Sequence, residues 1–369
     1  MTKVLYISNY RDQSGYSQAA RDYISSLKLA GVSVAARSIK LTPTTHELNQ
    51  TLLEAESEST SDCDVVIQHT LPPLFEFSGK FRKNIGLFHL ETDRIPQNWV
   101  RQCNLMDSIW VSCHHNKKTC EDSGVTVPIE VVPIPLDTAK FQQSYKKAHF
   151  RKVYESDFIF YTVGEFNKRK NLEAIVRAFH GAFKPNEPVQ LLIKTSIPGL
   201  SPDQARKQVG EFCQSIKNLM GLYPSIEDYK KELLITDSIS EADMCSLHTS
   251  CDCFVNASYG EAWCLPAVDA LGFGRHAILP NHTVFQDYPC YSNILYVQTQ
   301  EEPCFGYQNS VPGVYTSAAN WYSPNITHLA GCMRGMYQSR FTEFSVNSGH
   351  FPYNVSYEKV GEIMKGLLK

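Results

Sequence analysis

Short β-rich apolar runs alternate with segments of helical periodicity along this chain, and that alternation restricts its fold more than any other feature. Residues 3–8, KVLYIS, read as a strand. Ser17 to Ala30 then carries apolar side chains at helical spacing (Ala20, Tyr23, Ile24, Leu27) until Gly31 stops it. The runs VSVAARSI, DVVIQ (64–68), NIGLF (84–88), SIWV (108–111) and IEVV (129–132) follow. Runs this short, separated by polar or helical stretches, favour a mostly parallel sheet covered on both faces.

A second series begins after QQSYKKAHFRKVYESD, residues 142–157, where the apolar period weakens and charge accumulates. It holds FIFYTVG (158–164), a helix over 172–183, VQLLIK (189–194), ELLIT (232–236), a helix from about Ser240, CDCFVNA (251–257), a helix from about Leu265, and HAILP (276–280). The reading predicts an α/β chain of two doubly wound, Rossmann-like domains, 1–150 and 151–350, facing one another across a cleft. Ligands in such sheets bind outside the carboxyl ends of the strands. A chain of 369 residues with 43% hydrophobic side chains suffices for two cores.

The formal charge of -3 supplies no global attraction to nucleic acid, although a local basic groove is compatible with it. The first apolar run is too short for a signal peptide, and no later run approaches the ~20 residues that span a bilayer. A soluble, cytoplasmic protein is expected. Twelve cysteines then read as reduced, mostly buried thiols. Neither Cys113-His114-His115 with Cys120 nor Cys251 with Cys253 has the paired spacing of a structural zinc site. The Asn-x-Ser/Thr matches at Asn49, Asn256, Asn281, Asn325 and Asn354 carry no weight without a secretory route. Asp62-Cys63-Asp64 precedes a strand and reads as a turn, and GYSQA (15–19) follows too long a loop for a nucleophile elbow.

Two stretches point to chemistry. TVGEFNKRKNLEAIVRAFHGAF ends a strand, turns at Gly164 and starts a helix with Asn171 as N-cap. Its apolar face is Leu172, Ile175, Val176, Phe179, Ala182 and Phe183, which leaves Arg169 and Lys170 beside a helix start that already favours an anion. A phosphate site and a solvated basic turn, Lys168 to Lys170, both fit that spacing. In YGEAWCLPAVDALGFG (259–274) a strand again feeds a loop, and Pro266 falls where a first helical turn tolerates proline. The N–H groups of Trp263, Cys264 and Leu265 are expected to face the cleft. Glu261 can accept hydrogen bonds from hydroxyls, and Asp269 from a vicinal diol such as a ribose. Two such carboxylates around a phosphate-binding helix start describe a sugar nucleotide; a solvated loop carboxylate and a surface helix carboxylate are the plainer alternative.

Taken together, SYGEAWCLPAVDALGFG and GEFNKRKN resemble the two donor-binding signatures of family-4 glycosyltransferases, retaining enzymes with the GT-B fold. The chain keeps the Glu261, Leu265-Pro266 and Ala270 positions of an E-G-F-G-L-P-x-x-E-A-like run. It has Asp269 for the second Glu, Ala-Trp-Cys for Gly-Phe-Gly, and Glu165 where an Arg is usual, so that Arg169 or Lys168 supplies that charge beside Lys170. ITDSISEADMCSLHTSCDCFVNAS, with Ser240 and Asp243 at capping-box spacing, is similar to the family's segment before the first Glu. DSIWVSCHHNKKTCEDSGVTVPIEVVPIPLDTAKF resembles the end of its first domain. VSYEKVGEIMKGLLK is similar to a C-terminal helix that crosses back to that domain, here within 351–369.

The resemblance implies transfer of a sugar from a nucleotide-diphosphate sugar, a UDP- or GDP-sugar ahead of an ADP-sugar, to an acceptor hydroxyl, with retention and no obligatory metal or other cofactor. It implies catalytic roles for His89, Glu261, Lys170 and Arg169, and donor-binding roles for Gly15, Gly164, Lys170, Arg169, Glu261, Trp263, Cys264, Leu265 and Asp269. Glu91, Asp93 and His69 are acceptor-side candidates, His69 competing with His89 for the strand-end role. The segments 41–61 and 90–104 are expected to shape the acceptor site. The acceptor itself is open among a glycan, a small molecule and a hydroxylated DNA base, the last suggested by Lys117-Lys118, Lys146-Lys147 and Arg151-Lys152. An epimerase of the same fold and a non-catalytic sugar-nucleotide-binding subunit remain alternatives.

Overall fold

The computed structural model describes residues 2–40, 46–289, 292–304, 313–340 and 354–369. Residues 41–45 of the expected acceptor segment, and 341–353 around the expected 350/351 boundary, lie outside it. The chain packs as two compact units: Met1–Ala139 with Gln308–Asn320 and His350–Lys369, and Lys140–Tyr307 with Trp321–Gly349.

In the first unit, β1 (Lys3–Ser8), β2 (Ser33–Ser38), β3 (Val65–His69), β4 (Lys83–Leu87), β5 (Ser108–Val111) and β6 (Ile129–Val131) form a parallel sheet ordered β2-β1-β3-β4-β5-β6. Its strand order reverses between β1 and β3, so the carboxyl ends of those two strands open a crevice. The sheet is flanked by α1 (Gly15–Leu29), α2 (Gln50–Ser57), α3 (Gln97–Cys103) and α4 (His114–Ser123). Helix α1 begins where the Ser14 hydroxyl accepts the Ser17 N–H (3.1 Å). It ends in a left-handed Gly31, with Val32 N–H returning to the Leu27 carbonyl (3.0 Å). A C-terminal helix, Tyr357–Leu367, lies against α1: Ser26 Oγ donates to the Tyr357 carbonyl (2.6 Å), and Tyr357 Oη to Asp22 Oδ1 (2.6 Å).

In the second unit, α5 (His149–Val153) precedes a parallel sheet of β7 (Phe158–Val163), β8 (Val189–Lys194), β9 (Leu233–Ile235), β10 (Cys253–Val255), β11 (His276–Pro280) and β12 (Ile294–Val297). Its order is β12-β11-β10-β7-β8-β9, the doubly wound order with its reversal between β7 and β10. Helices α6 (Leu172–Ala182), α7 (Pro202–Met220), α8 (Glu241–Ser250), α9 (Leu265–Gly272) and α10 (Ile326–Gln338) accompany it, with a small pair of strands, β13 (Thr299–Pro303) and β14 (Asn320–Pro324), of which the first residue, Asn320, still belongs to the first unit. Helix α6 buries Leu172, Ile175, Val176 and Phe179 against Phe160, Leu191, Ile193, Val255 and Met333. Lys140 already belongs to this unit, because it pairs with Asp269 (2.7 Å) while Phe141 packs edge-on against Phe273.

Among the described residues the cysteines are free thiols, buried except for Cys332, and no helix is long and apolar enough to cross a membrane. Two glycosylation-like asparagines are helix caps: Asn49 accepts from Leu52 N (3.1 Å) and Asn325 from His328 N (2.9 Å). Ser240 caps α8 through Asp243 N (3.1 Å), but the Asp243 carboxylate turns to the Ser240 hydroxyl (2.7 Å) instead of reaching back to the backbone.

Candidate functional site

The loops that follow β7 and β10 leave adjacent strands at the reversal of the second sheet, so the topology alone brings them together. In the first loop two asparagines act in series. Asn167 accepts from Lys170 N (3.1 Å) and closes a 3-10 turn over Lys168–Lys170; Asn171, left-handed at φ 50, then caps α6 through Ala174 N (3.3 Å). The basic triplet is thereby held at the helix start. The Lys170 stem packs 3.5 Å from where a Cβ on Gly164 would sit.

The second loop is tied to the first. Tyr259 N–H donates to the Arg169 carbonyl (2.8 Å), and Arg169 Nη1 donates to the Gly260 carbonyl (2.6 Å) and to Glu261 Oε2 (3.2 Å). Lys170 Nζ reaches Glu261 Oε1 at 2.6 Å. The Glu261 side chain is only 6% exposed. Burial raises its pKa, but Lys170 and Arg169 outweigh that and hold the carboxyl at about 2. Two cations around one carboxylate leave the cluster with a net positive charge, which suits an anionic ligand.

Three residues that periodicity could not single out complete this loop. Asn256 Nδ2 approaches Glu261 Oε1 and Cys264 Sγ, both at 3.4 Å, while its Oδ1 accepts from Ser258 N (2.8 Å). Thr283 Oγ1 accepts the Glu261 N–H (3.2 Å), and His282 spans Thr283 Oγ1 (2.9 Å) and the Ser258 carbonyl (2.8 Å). Cys264 and Thr283 both adopt positive φ, 68° and 45°. For non-glycine residues, and a β-branched one above all, this is strain that the surrounding contacts must hold. Asn256 and Thr283 were visible only through the glycosylation-like matches at Asn256 and Asn281, which say nothing of this geometry.

Helix α9 starts at Leu265 with Pro266 in its first turn, after a Cys264 cap whose side chain makes no capping hydrogen bond to the helix. Among the described residues the N–H groups of Trp263, Cys264 and Leu265 make no hydrogen bond. Beside the cluster, Gly164, Glu165, Lys170, Lys194, Thr195 and Asn256 line a hollow. Burial lowers the pKa of Lys194 there, and the Thr195 hydroxyl is buried without a partner among the described residues.

The remaining expected residues divide. Asp269 pairs through Oδ1 with Lys140 Nζ (2.7 Å), a different cation from the two that hold Glu261. In the first unit, Glu91 accepts from Tyr315 Oη (2.6 Å) and Asp93 from Asn320 N (2.7 Å). These two acidic groups, expected on the acceptor side, are thus committed to the returning segment of their own unit. Gly15, exposed at the start of α1, has no atom of the described residues within 4 Å of where a Cβ would stand. His69 and His89 are hydrogen-bonded to each other: their Nε2 atoms lie 3.1 Å apart at the ends of neighbouring strands.

No protein-family model and no curated protein matches the sequence. Solved structures do match. HepE from Anabaena, in complex with UDP and glucose, is similar at a TM-score of 0.66 and 11% identity over 100% of this chain and 99% of that one. Sucrose-phosphate synthase from Thermosynechococcus elongatus gives 0.68 and 15%, and a glycosyltransferase from Rickettsia africae 0.68 and 12%, each over 100% of this chain and 98% of the other. Across its full length, then, the chain has the two-unit, Rossmann-like α/β fold of GT-B glycosyltransferases.

Proposed function

We propose that this chain is a retaining glycosyltransferase of family-4 type that moves a sugar from a nucleotide-diphosphate sugar to an acceptor hydroxyl without an obligatory metal. The observation that carries this reading is the Arg169–Lys170–Glu261 cluster, which joins two helix starts at the strand-order reversal of the second sheet. On this reading Lys170, Arg169 and the N–H groups of Trp263, Cys264 and Leu265 stabilise the charge that develops as the diphosphate departs. Gly164 lets the Lys170 stem lie close to the backbone, and Gly15 leaves room for a ligand at the start of α1. Glu261 holds both cations in place and offers its remaining lone pairs to a sugar hydroxyl. Asp269 exchanges Lys140 for the ribose diol, and His89 binds a ligand oxygen at the crevice of the first sheet. The full-length likeness to HepE, which was solved with UDP and glucose, supports a UDP-sugar among the UDP- or GDP-sugars expected from the sequence.

Release of sugar from UDP-glucose in the absence of acceptor, followed by proton NMR, tests the assignment. Free glucose appearing first as the α-anomer supports a retaining transferase. A first-formed β-anomer would make it inverting, an epimerised nucleotide sugar would make it an epimerase, and binding of the nucleotide without turnover would make it a binding subunit.

A further inference from the structure

At the crevice of the first sheet Tyr6, His69 and His89 form a chain of hydrogen bonds across three adjacent strands. Tyr6 Oη lies 2.8 Å from His69 Nδ1, and His69 Nε2 lies 3.1 Å from His89 Nε2. Tyr16 is tilted over His69 with ring centroids 4.5 Å apart, and Tyr23 stands parallel to His89. Tyr6 and His69 are fully buried. Burial pushes His89 down to about 3 and His69 well below its ordinary range, so both rings are neutral and each carries one N–H.

The position of those protons follows from the partners. Among the described residues Tyr6 Oη has no other hydrogen-bond partner. If it accepted from His69, its own O–H would be a buried orphan, and His89 Nδ1 would be left as an orphan acceptor besides. A phenol is also the better acid and an imidazole nitrogen the better base, so the O–H···N arrangement is the stronger bond. Tyr6 therefore donates to His69 Nδ1, His69 Nε2–H donates to His89 Nε2, and the His89 proton is forced onto Nδ1. Among the described residues that atom is buried without a partner, as is the hydroxyl of Tyr16, whose ring stands 5.4 Å from His89.

We propose that Tyr6 and His69 are positioning residues that lock His89 as an Nδ1–H donor for an uncharged oxygen of the bound ligand. The lock stands on the first unit alone. That the oxygen is a hydroxyl of the transferring sugar or of its acceptor rests on the glycosyl-transfer reading above. On that reading His89 donates to the ligand and is not a base that deprotonates the acceptor, because the nitrogen it presents already bears the proton.

Long-range nitrogen–proton NMR of the full-length, 15N-histidine-labelled protein at pH 7 reads the tautomers directly, with His69→Gln and His89→Gln spectra as assignments. The expected result is Nδ1–H for His89 and Nε2–H for His69. Tyr6→Phe should admit the second tautomer at both rings and, if donor turnover is found, lower kcat roughly tenfold with KM nearly unchanged. An Nε2–H tautomer for His89 in the unaltered protein overturns the proposal, and so does a Tyr6→Phe spectrum identical to it. If turnover is absent while the tautomers are as stated, the lock holds and the transfer reading fails.

Discussion

The ammonium of Lys170 stands 2.6 Å from a carboxylate oxygen of Glu261, across 91 positions of sequence. Strand order explains the meeting. β7 and β10 are neighbours in the sheet, and each ends a few residues before one of the pair. Arg169 shares the same carboxylate at 3.2 Å, so removing Glu261 would leave two cations facing each other in a largely buried site. Breaking a buried pair in this way costs about 3–5 kcal/mol, which makes the cluster structurally as well as chemically consequential.

The depressed pKa of Glu261 has a pH signature. Its folded value of about 2 lies below the unfolded carboxylate value of about 4.3. The resulting stability is present above the unfolded value and is lost as pH falls toward the folded one. Glu261→Gln removes this contribution, so its unfolding free energy should fall less steeply than that of the unaltered protein between about pH 4.3 and 2. Denaturant titrations at several pH values measure it, and parallel curves would show that the cluster does not hold the carboxylate ionised.

If Asp269 leaves Lys140 for a ribose, the protein should distinguish UDP from 2′-deoxy-UDP. Asp269→Asn should reduce that preference to near unity, a loss of roughly tenfold in relative affinity by calorimetry. An undiminished preference in the variant would place ribose recognition elsewhere.

Backbone strain at Cys264 can be isolated by comparing two truncations. Both Cys264→Ala and Cys264→Gly remove the thiol that Asn256 approaches, but only glycine relieves the φ of 68°. The glycine variant should be more stable than the alanine variant by about 1 kcal/mol in chemical denaturation. Equal stability, or the reverse order, would show that the turn is not strained.

The seat of the C-terminal helix depends on Gly361. A Cβ there would stand 2.5 Å from the Ser26 carbonyl oxygen of α1 and 2.9 Å from the Ala30 Cβ. Gly361→Ala should therefore destabilise the protein by about 1–3 kcal/mol, detected as a lowered thermal midpoint. An unchanged midpoint would mean that this helix yields freely.

The strands KVLYIS, SIWV, VQLLIK and HAILP run where the sequence places them, because uninterrupted β-rich runs ended by turn residues signal buried strands strongly. Helix α7 was not read. Its buried face is Ala205, Val209, Cys213 and Ile216, a narrow stripe partly of small side chains amid charge. The Arg169, Lys170 and Glu261 trio was legible because each sits beside a helix start with its own sequence marks. Asn256, His282 and Thr283 were not: their contribution comes from long-range bonds and from a left-handed threonine, for which no residue pattern exists. Asp269 was legible as a carboxylate on α9, but its bond to Lys140 depends on how the chain enters the second unit. The pairing of His69 with His89 likewise depends on strand order, which periodicity does not encode.

The most direct test of the cluster as a diphosphate site is calorimetric titration of UDP-glucose, UDP and uridine into the unaltered protein and into Lys170→Ala. The account predicts that UDP-glucose and UDP bind at least about tenfold more tightly than uridine, and that Lys170→Ala abolishes the difference while the protein stays folded. Equal affinity for UDP and uridine, or a variant that keeps the full diphosphate preference, would contradict it.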